Sequence, residues 1–375
     1  MWRAEGEIDT LIRESAAAFA DDRHDLARLR KPASGVDRAI WTGIAEMGWT
    51  GILLSESDGG SGLPLSAALV VAEMFGRRLL PEPFIENAVI AATVLALSDT
   101  ALARACARRL ATGEGLFSLA HGEATAAGHQ DDPLSTTARI ADGMIVLHGD
   151  KASVPGWSDG VSMLVTADHD GDLAIVMVPA DSAGITATSH AMADGSVTAD
   201  VRFDGVTLPQ DHFLARGPAA RDMVTLAMGR GLLAVSAQLE GLAQSMLAMT
   251  IDYVGQRVQF GRPLASNQAL QHHLVNLFGQ MELAGASWRS AATLLGTQGA
   301  AHARGPISRA KARCSDMAMA IAKAAIQYHG AFGYTEEADV GLYVNAALRH
   351  SAWLGNASTH REQALRAHEQ NRISS

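Results

Sequence analysis

The sequence predicts an α+β chain built as an N-terminal helical domain, a middle antiparallel β domain and a C-terminal four-helix bundle. Two observations carry this. The hydrophobic period is helical over residues 1–115, switches to two over 116–215, and returns to helical over 216–375. The chain's 375 residues exceed one ordinary core, and abundant Ala, Leu, Met and Gly with only 5% aromatics lean helical.

The N-terminal zone reads as helix-length segments: "EIDTLIRESAAAFA", "DRAIWTGIAEMGW", "LSAALVVAEMFGRRLL", "FIENAVIAATVLAL" and "TALARACARRLATG". Turn signals such as "SDGGSG" separate them, and Pro81 and Pro83 end one helix and leave "EPF" extended. In the middle zone "TARIADGMIVLHGDK" alternates on both sides of Ala-Asp-Gly, a hairpin in which Gly143 takes the positive φ. A second hairpin joins "VSMLVTAD" to "LAIVMVP" through "HDGD", and "SVTADVRFDGV" alternates again, so five to eight strands are expected. The last zone contains four helical stretches, starting with "RDMVTLAMGRGLLAVSAQLEGLAQSMLAMTIDYVGQR" and ending with "ADVGLYVNAALRHSAWLG".

A net charge of −10 argues against nucleic acid, which needs clustered Lys and Arg. Cys106 and Cys314 have neither metal-site spacing nor a disulfide framework, and reduced, buried cytosolic thiols are the expectation. Acidic residues near the start contradict a secretory leader. The most apolar run is broken by Gln238, Glu240 and Gln244, so a soluble, cytoplasmic protein off the membrane is expected. His272 and His273 are adjacent on a helix and cannot face one metal ion, and His329 has no partner four residues on. No metal site is predicted.

One stretch does not read as core. In "RVQFGRPLASNQALQHHL", Arg257 ends a helix, Phe260-Gly261-Arg262-Pro263 forces a tight break, and a new helix places Gln268 and His272 on one face. A guanidinium and an amide converging at a helix corner suit a pyrophosphate or a polar heterocycle edge.

This stretch resembles a signature of the acyl-CoA dehydrogenase family, Arg-x-Gln-Phe-Gly-x-Pro followed by Gln and His, with Asn267 where the family usually has Phe. "AIQYHGAFGYTEE" resembles the second signature, with Ala331 in place of a Gly. "EMGWTGILLSESDGGSGLPLSAALVVAEMFGRRLLPEPF" and "STTARIADGMIVLHGDKASVPG" resemble the family's helical and β domains, so the resemblance spans nearly the whole chain. It implies that Arg257, Phe260 and Gln268 contact FAD bound with a neighbouring subunit. It also implies that Gln327, Gly330 and Gly333 lie against that FAD. The implied reaction is α,β-dehydrogenation of an acyl-CoA thioester: a carboxylate takes the α-proton, the flavin accepts the β-hydride, and an electron-transfer flavoprotein is the kind of acceptor expected.

The implied base is missing. The family's three placements fall on Leu354, Gly231 and Gln238, and an amide accepts no proton at neutral pH. Glu240 is two residues from Gln238, so its side chain points elsewhere on the helix; a solvent- or partner-facing role is expected for it over a catalytic one. Asp222 and Glu282 are weaker candidates. The family's flavin-wrapping loop survives only as "LAHGEATAAGHQDD", and the aromatic and Thr that follow its Lys fall on Ser153 and Pro155. The donated half of a flavin site looks intact and the chain's own half eroded. The expectation is therefore one subunit of a hetero-oligomer with a homologous chain, a heterotetramer as in family relatives of bacterial steroid side-chain degradation, with a homo-oligomer as the alternative. The alternatives are a non-catalytic structural partner, a flavin monooxygenase or nitroalkane-type oxidase on the same fold, and DNA binding by a flavin-containing relative, which the charge disfavours.

Overall fold

The computed structural model describes residues 6–31, 35–123, 134–259 and 261–374. Phe260, one of the expected flavin contacts, lies outside the described residues. The helices before the sheet are α1 (Glu7–Asp22), α2 (Leu26–Leu29), α3 (Arg38–Glu46), α4 (Leu65–Arg78), α5 (Ala92–Leu97) and α6 (Ala101–Ala111). Asp25, Asp37 and Thr100 cap α2, α3 and α6 through side-chain oxygens, satisfying orphan N–H groups of the first turn. Ile85–Ala91 is π-helical, a wider, under-wound stretch that hydrophobic period alone does not distinguish from α-helix.

The sheet has eight strands: β1 (Leu116–Ala120), β2 (Thr137–Ala141), β3 (Met144–Pro155), β4 (Val161–His169), β5 (Asp172–Val178), β6 (Ile185–Ala191), β7 (Val197–Pro209) and β8 (Phe213–Arg216). Their order is β6-β7-β3-β2-β4-β5-β8, with β1 also on β4. Both expected hairpins form: Asp142 and Gly143 turn between β2 and β3, Asp170 and Gly171 between β4 and β5, all at positive φ. The expectation of a purely antiparallel sheet needs correction, because β4 runs parallel to both β1 and β2. Strand alternation reports which face is buried, not which neighbour a strand pairs with. Ile145, Leu147, Val165, Val176, Val201 and Phe203 sit in the β core.

The C-terminal region holds α7 (Pro218–Gln256), a two-rung hairpin of β9 (Val258–Gln259) and β10 (Arg262–Pro263), α8 (Gln268–His329), α9 (Val340–Ala352) and α10 (Ala357–Ser374). Gly299 breaks α8 into two helices, giving the four helical stretches expected; α10 adds a fifth. Helix α7 is long and apolar enough to cross a bilayer, contrary to the reading of its interruptions, yet 83% of its most apolar window is buried within the protein. Leu, Ala and Met on every side suit a helix packed all round as well as one in lipid.

Two compact units contain these elements. One comprises Met1–Lys31, Leu69–Pro81 and Leu232–Ser375; the other comprises Pro32–Ala68 and Glu82–Gly231. In the first unit α4 and α7 approach at backbone distance. A Cβ on Gly76 would meet the Gln238 carbonyl at 2.2 Å, and one on Gly241 would meet the Glu73 carbonyl at 2.0 Å. Only glycine permits that crossing.

Candidate active site

The two signature stretches meet at one corner of the helical unit. The Tyr253 ring stacks on His329 at 4.3 Å and on Phe332 at 6.0 Å, and its hydroxyl donates to the His329 carbonyl at 3.3 Å. His273 Nδ1 is hydrogen-bonded to the Tyr328 hydroxyl. The end of α7, the start of α8 and the end of α8 are therefore tied by aromatic contacts, which hold Arg257, Gln268 and Gln327 on three adjoining segments. All three are exposed in the single chain, as is Gly330, whereas Gly333 is buried. Gly330 has φ +62, and nothing would meet a Cβ there within 4 Å. Gly333 is packed, with the His329 Cβ at 2.9 Å from the position of its absent side chain. Val258, Phe332 and Tyr334 add exposed apolar surface, Tyr334 at 80%. His272 is exposed and His329 is buried, its Nδ1 on the Ala325 carbonyl at 2.8 Å, the satisfied core histidine of the sequence reading. Among the described residues no group of side chains has the makeup of a metal site.

A guanidinium, two amides and a bare Gly330 backbone form a donor set that fits the diphosphate of a dinucleotide, beside apolar surface for a planar ring. Arg257, Gln268, Gln327 and Gly330 are the exposed residues of this chain that would hold FAD, whereas the expected contact at Gly333 is packed inside the protein.

The structure describes all three residues on which the resemblance would place a base. Gly231 and Gln238 are buried in α7. Leu354 sits in the turn between α9 and α10 at φ +59, a left-handed conformation uncommon for a non-glycine residue, followed by Gly355 at φ +103. This turn is anchored from below. Lys311, fully buried, donates to the Ser351 and Gly355 carbonyls, both at 3.0 Å, and to the Ser315 hydroxyl at 3.1 Å. The His360 Nε2 lies 2.9 Å from the Leu354 carbonyl. Burial pulls the Lys311 pKa down to about 7. The three acceptors match the three protons of the charged ammonium.

Sequence reading missed Lys311, although the signal was present. Ile307, Lys311, Cys314 and Ala318 recur at three and four residues and share the buried stripe of α8.

Glu240 corrects a second expectation. It faces neither solvent nor a partner; it is 3% exposed inside the helical unit. Its Oε2 accepts from Trp288 Nε1 at 2.6 Å and lies 3.1 Å from the Arg289 guanidinium. Glu73, 2% exposed, takes Arg13 at 3.1 Å and Arg289 at 3.4 Å, and Gln244 donates to Glu73 at 3.1 Å. Gly285 makes room: a Cβ there would lie 2.4 Å from Glu240 Oε1. Burial, then the charge of Glu73, pushes the Glu240 pKa up to about 7, with Arg289 and Trp288 pulling the other way. Helical phase from Gln238 correctly separates the two side chains; what it omits is that Glu240 then points at α8. Both thiols are buried, and burial pushes their pKa values up, so neither is a reactive nucleophile.

Lys151 and Glu123 form a buried ion pair in the sheet unit. Lys151 Nζ donates to Glu123 Oε1 at 2.6 Å, and Glu123 also accepts from the Ser135 amide and hydroxyl and the Thr136 amide. Burial raises the Glu123 pKa, but the bonds from Lys151 and Ser135 outweigh it and hold the carboxyl at about 2. Glu123 therefore cannot act as a base near neutral pH. Ser153 is exposed at φ +52, with its amide on Asp200 at 2.9 Å, and it brings no aromatic ring. Residues 124–133 of the eroded loop lie outside the described residues.

A model of the acyl-CoA dehydrogenase N-terminal domain matches residues 7–114, and one of the acyl-CoA dehydrogenase C-terminal domain matches 219–368. The benzylmalonyl-CoA dehydrogenase of Aromatoleum aromaticum is 27% identical, covering 89% of this chain and 90% of that protein. A variant of the Tcur3481-Tcur3483 steroid ACAD superposes with TM-score 0.88 at 25% identity, covering 98% of this chain and 99% of that one. The ChsE4-ChsE5 complex from Mycobacterium tuberculosis superposes with TM-score 0.87 at 22% identity over 98% of both chains. With both terminal domain models in order along a chain of this fold, the protein is a member of the acyl-CoA dehydrogenase family, and so of a family of flavin oxidoreductases.

Proposed function

We propose that this chain supports FAD-dependent α,β-dehydrogenation of an acyl-CoA as one subunit of a hetero-oligomer with a homologous chain. The observation that carries the reading is a contrast between two sets of positions. Arg257, Gln268 and Gln327 are held on one exposed corner, while Gly231, Gln238 and Leu354 leave every family base position without a proton acceptor. The buried Glu240 is committed to Trp288 and Arg289. When bound, FAD accepts the β-hydride. This chain's part is to bind its diphosphate through Arg257 and to orient it through the two amides. The turn at Leu354, fixed by Lys311, then shapes the site without moving a proton, and the homologous subunit brings the base. Relatives named as a steroid ACAD and as a two-protein complex support a role in lipid or steroid breakdown with such a partner. A cytoplasmic setting accords with the free, buried thiols, and an electron-transfer flavoprotein is the acceptor proposed from membership of the family.

Purification alone and after coexpression with a homologous subunit, with flavin per chain and stoichiometry recorded, tests this. The reading requires flavin in the mixed complex and its reduction by an acyl-CoA only there. Flavin reduction by the pure chain would refute the division of labour. Colourless protein in every combination would favour a purely structural partner.

A further inference from the structure

We infer that Arg30 is a positioning residue for the flavin: its guanidinium holds residues 330–339 in the form that meets the cofactor. The inference rests on the flavin-binding part of the reading above and adds a residue outside both signature stretches.

Residues 330–339 join α8 to α9 and begin at Gly330, one of the residues that would hold FAD. Gly330–Tyr334 is a 3-10 turn, whose hydrogen-bond geometry is poorer than that of an α-helix. Phe332, Tyr334, Thr335, Glu336, Glu337 and Asp339 are exposed, and between Gly333 and Val340 only Ala338 is buried. Little apolar area holds this segment, and segments of that kind are the first to open.

Two clasps restrain it. Near its start, the Tyr253 ring stacks on Phe332. At its end, Arg30 Nε donates to the Glu336 carbonyl at 2.8 Å and Nη2 to the Asp339 carboxylate at 2.6 Å. The planar fork thus spans a backbone acceptor and a side-chain acceptor three residues apart, which fixes the direction of the chain as well as neutralising a charge. The Asp339 side chain is 50% exposed, so the ion pair alone contributes little, and the bond to the backbone carbonyl does most of the fixing.

Two observations set this contact apart from an incidental surface pair. Asp339 is the N-cap residue of α9, where a carboxylate commonly accepts a first-turn N–H, yet its side chain caps nothing there and turns to Arg30 instead. Helix α2, which ends just before Arg30, buries none of its four residues. Polar ties hold that stretch in place: Asp25 caps the helix, and His24 Nδ1 is bonded to the Arg78 carbonyl at 2.8 Å. Apolar packing does not account for α2; the guanidinium it presents does. With the segment fixed beforehand, flavin binding bears less of the cost of ordering it.

The test follows flavin release from the loaded mixed complex on dilution, read as flavin fluorescence. Its second readout is cleavage of the pure chain at Glu336 and Glu337 by a glutamate-specific protease. R30A should release flavin about fivefold to tenfold faster than the parent, the scale of one net hydrogen bond. The variant should also be cleaved at least about fivefold faster. R30K should fall between the two, because one ammonium lacks the fork, and D339N should have the smaller effect. The denaturation midpoints should stay at the parent's, which separates positioning from a general loss of fold. K31A, which removes the charge next in sequence, should leave both readouts unchanged. Flavin release from R30A at the parent's rate, or an equal effect of K31A, overturns the inference and leaves the acyl-CoA reading standing. Faster release that comes with a lowered midpoint also overturns it, since the role is then structural. If R30A does not fold, R30K decides, and release at the parent's rate overturns the inference. A parent complex that holds no flavin overturns the acyl-CoA reading and this inference with it.

Discussion

Glu240 and Trp288 meet at 2.6 Å, the carboxylate accepting from the indole N–H, in the interior of the helical unit. With Glu73 beside it and water excluded, the acid is pushed up to about 7 from an ordinary value of 4.5. A raised carboxyl pKa means the native state holds its proton more tightly than the unfolded chain does. Stability from this group is therefore full below pH 4.5 and is lost as pH rises through about 7. Glu240→Gln keeps an acceptor for Trp288 and removes the titration. The variant should be about 1–3 kcal/mol more stable than the parent at pH 8, with the difference closing by pH 5. Chemical denaturation at both pH values measures it, and an unchanged pH slope would contradict the placement of the charge.

Lys311 holds the turn that carries Leu354. Replacing it by Met strands the Ser351 and Gly355 carbonyls and removes a buried ammonium that has all its acceptors. Lys311→Met should cost about 2–4 kcal/mol and should make the 353–356 turn the first site of limited proteolysis. Equal cleavage rates in parent and variant would show that α9 and α10 hold the turn unaided.

In the proposed function Leu354 is the occupant of a base position, in a left-handed turn. Leu354→Glu places a carboxylate there without a change of backbone, since the present residue already adopts the left-handed conformation. Gain of a general base is worth about 10²–10⁴-fold. The variant in flavin-loaded form should accordingly bleach its flavin with acyl-CoA at least about a hundredfold faster than the parent chain. Stopped-flow absorbance reads the outcome, and no acceleration would mean that this turn does not face the α-carbon.

Arg257 is exposed, so its loss should leave folding within about 0.5 kcal/mol of the parent. If it grips a diphosphate in the mixed complex, Arg257→Ala should weaken flavin retention by about tenfold or more, and Arg257→Lys should recover only part of that, because a point charge lacks the fork. Flavin fluorescence released on dilution separates these cases.

The sheet unit offers a different kind of test. Lys151→Met leaves Glu123 buried without its counter-charge, at a cost of about 3–5 kcal/mol, and adding Glu123→Gln should recover much of it. A double variant no more stable than Lys151→Met would place the lost energy in packing instead.

The sequence by itself determined the zones of helix and strand, both hairpin turns and the resemblance carried by Arg257, Gln268 and Gln327, on which the proposed vacancy at the base positions rests. All of these are local: a period, a positive-φ turn residue or a run of identities within about twenty positions. Only the tertiary structure decided that β4 runs parallel to β1 and β2, that Glu240 is buried against Trp288, that Lys311 anchors the Leu354 turn and that Arg230 leans on Thr93. Each of those pairs residues between 31 and 137 positions apart, and the charge of a side chain says nothing about whether the partner that makes its burial tolerable lies within reach.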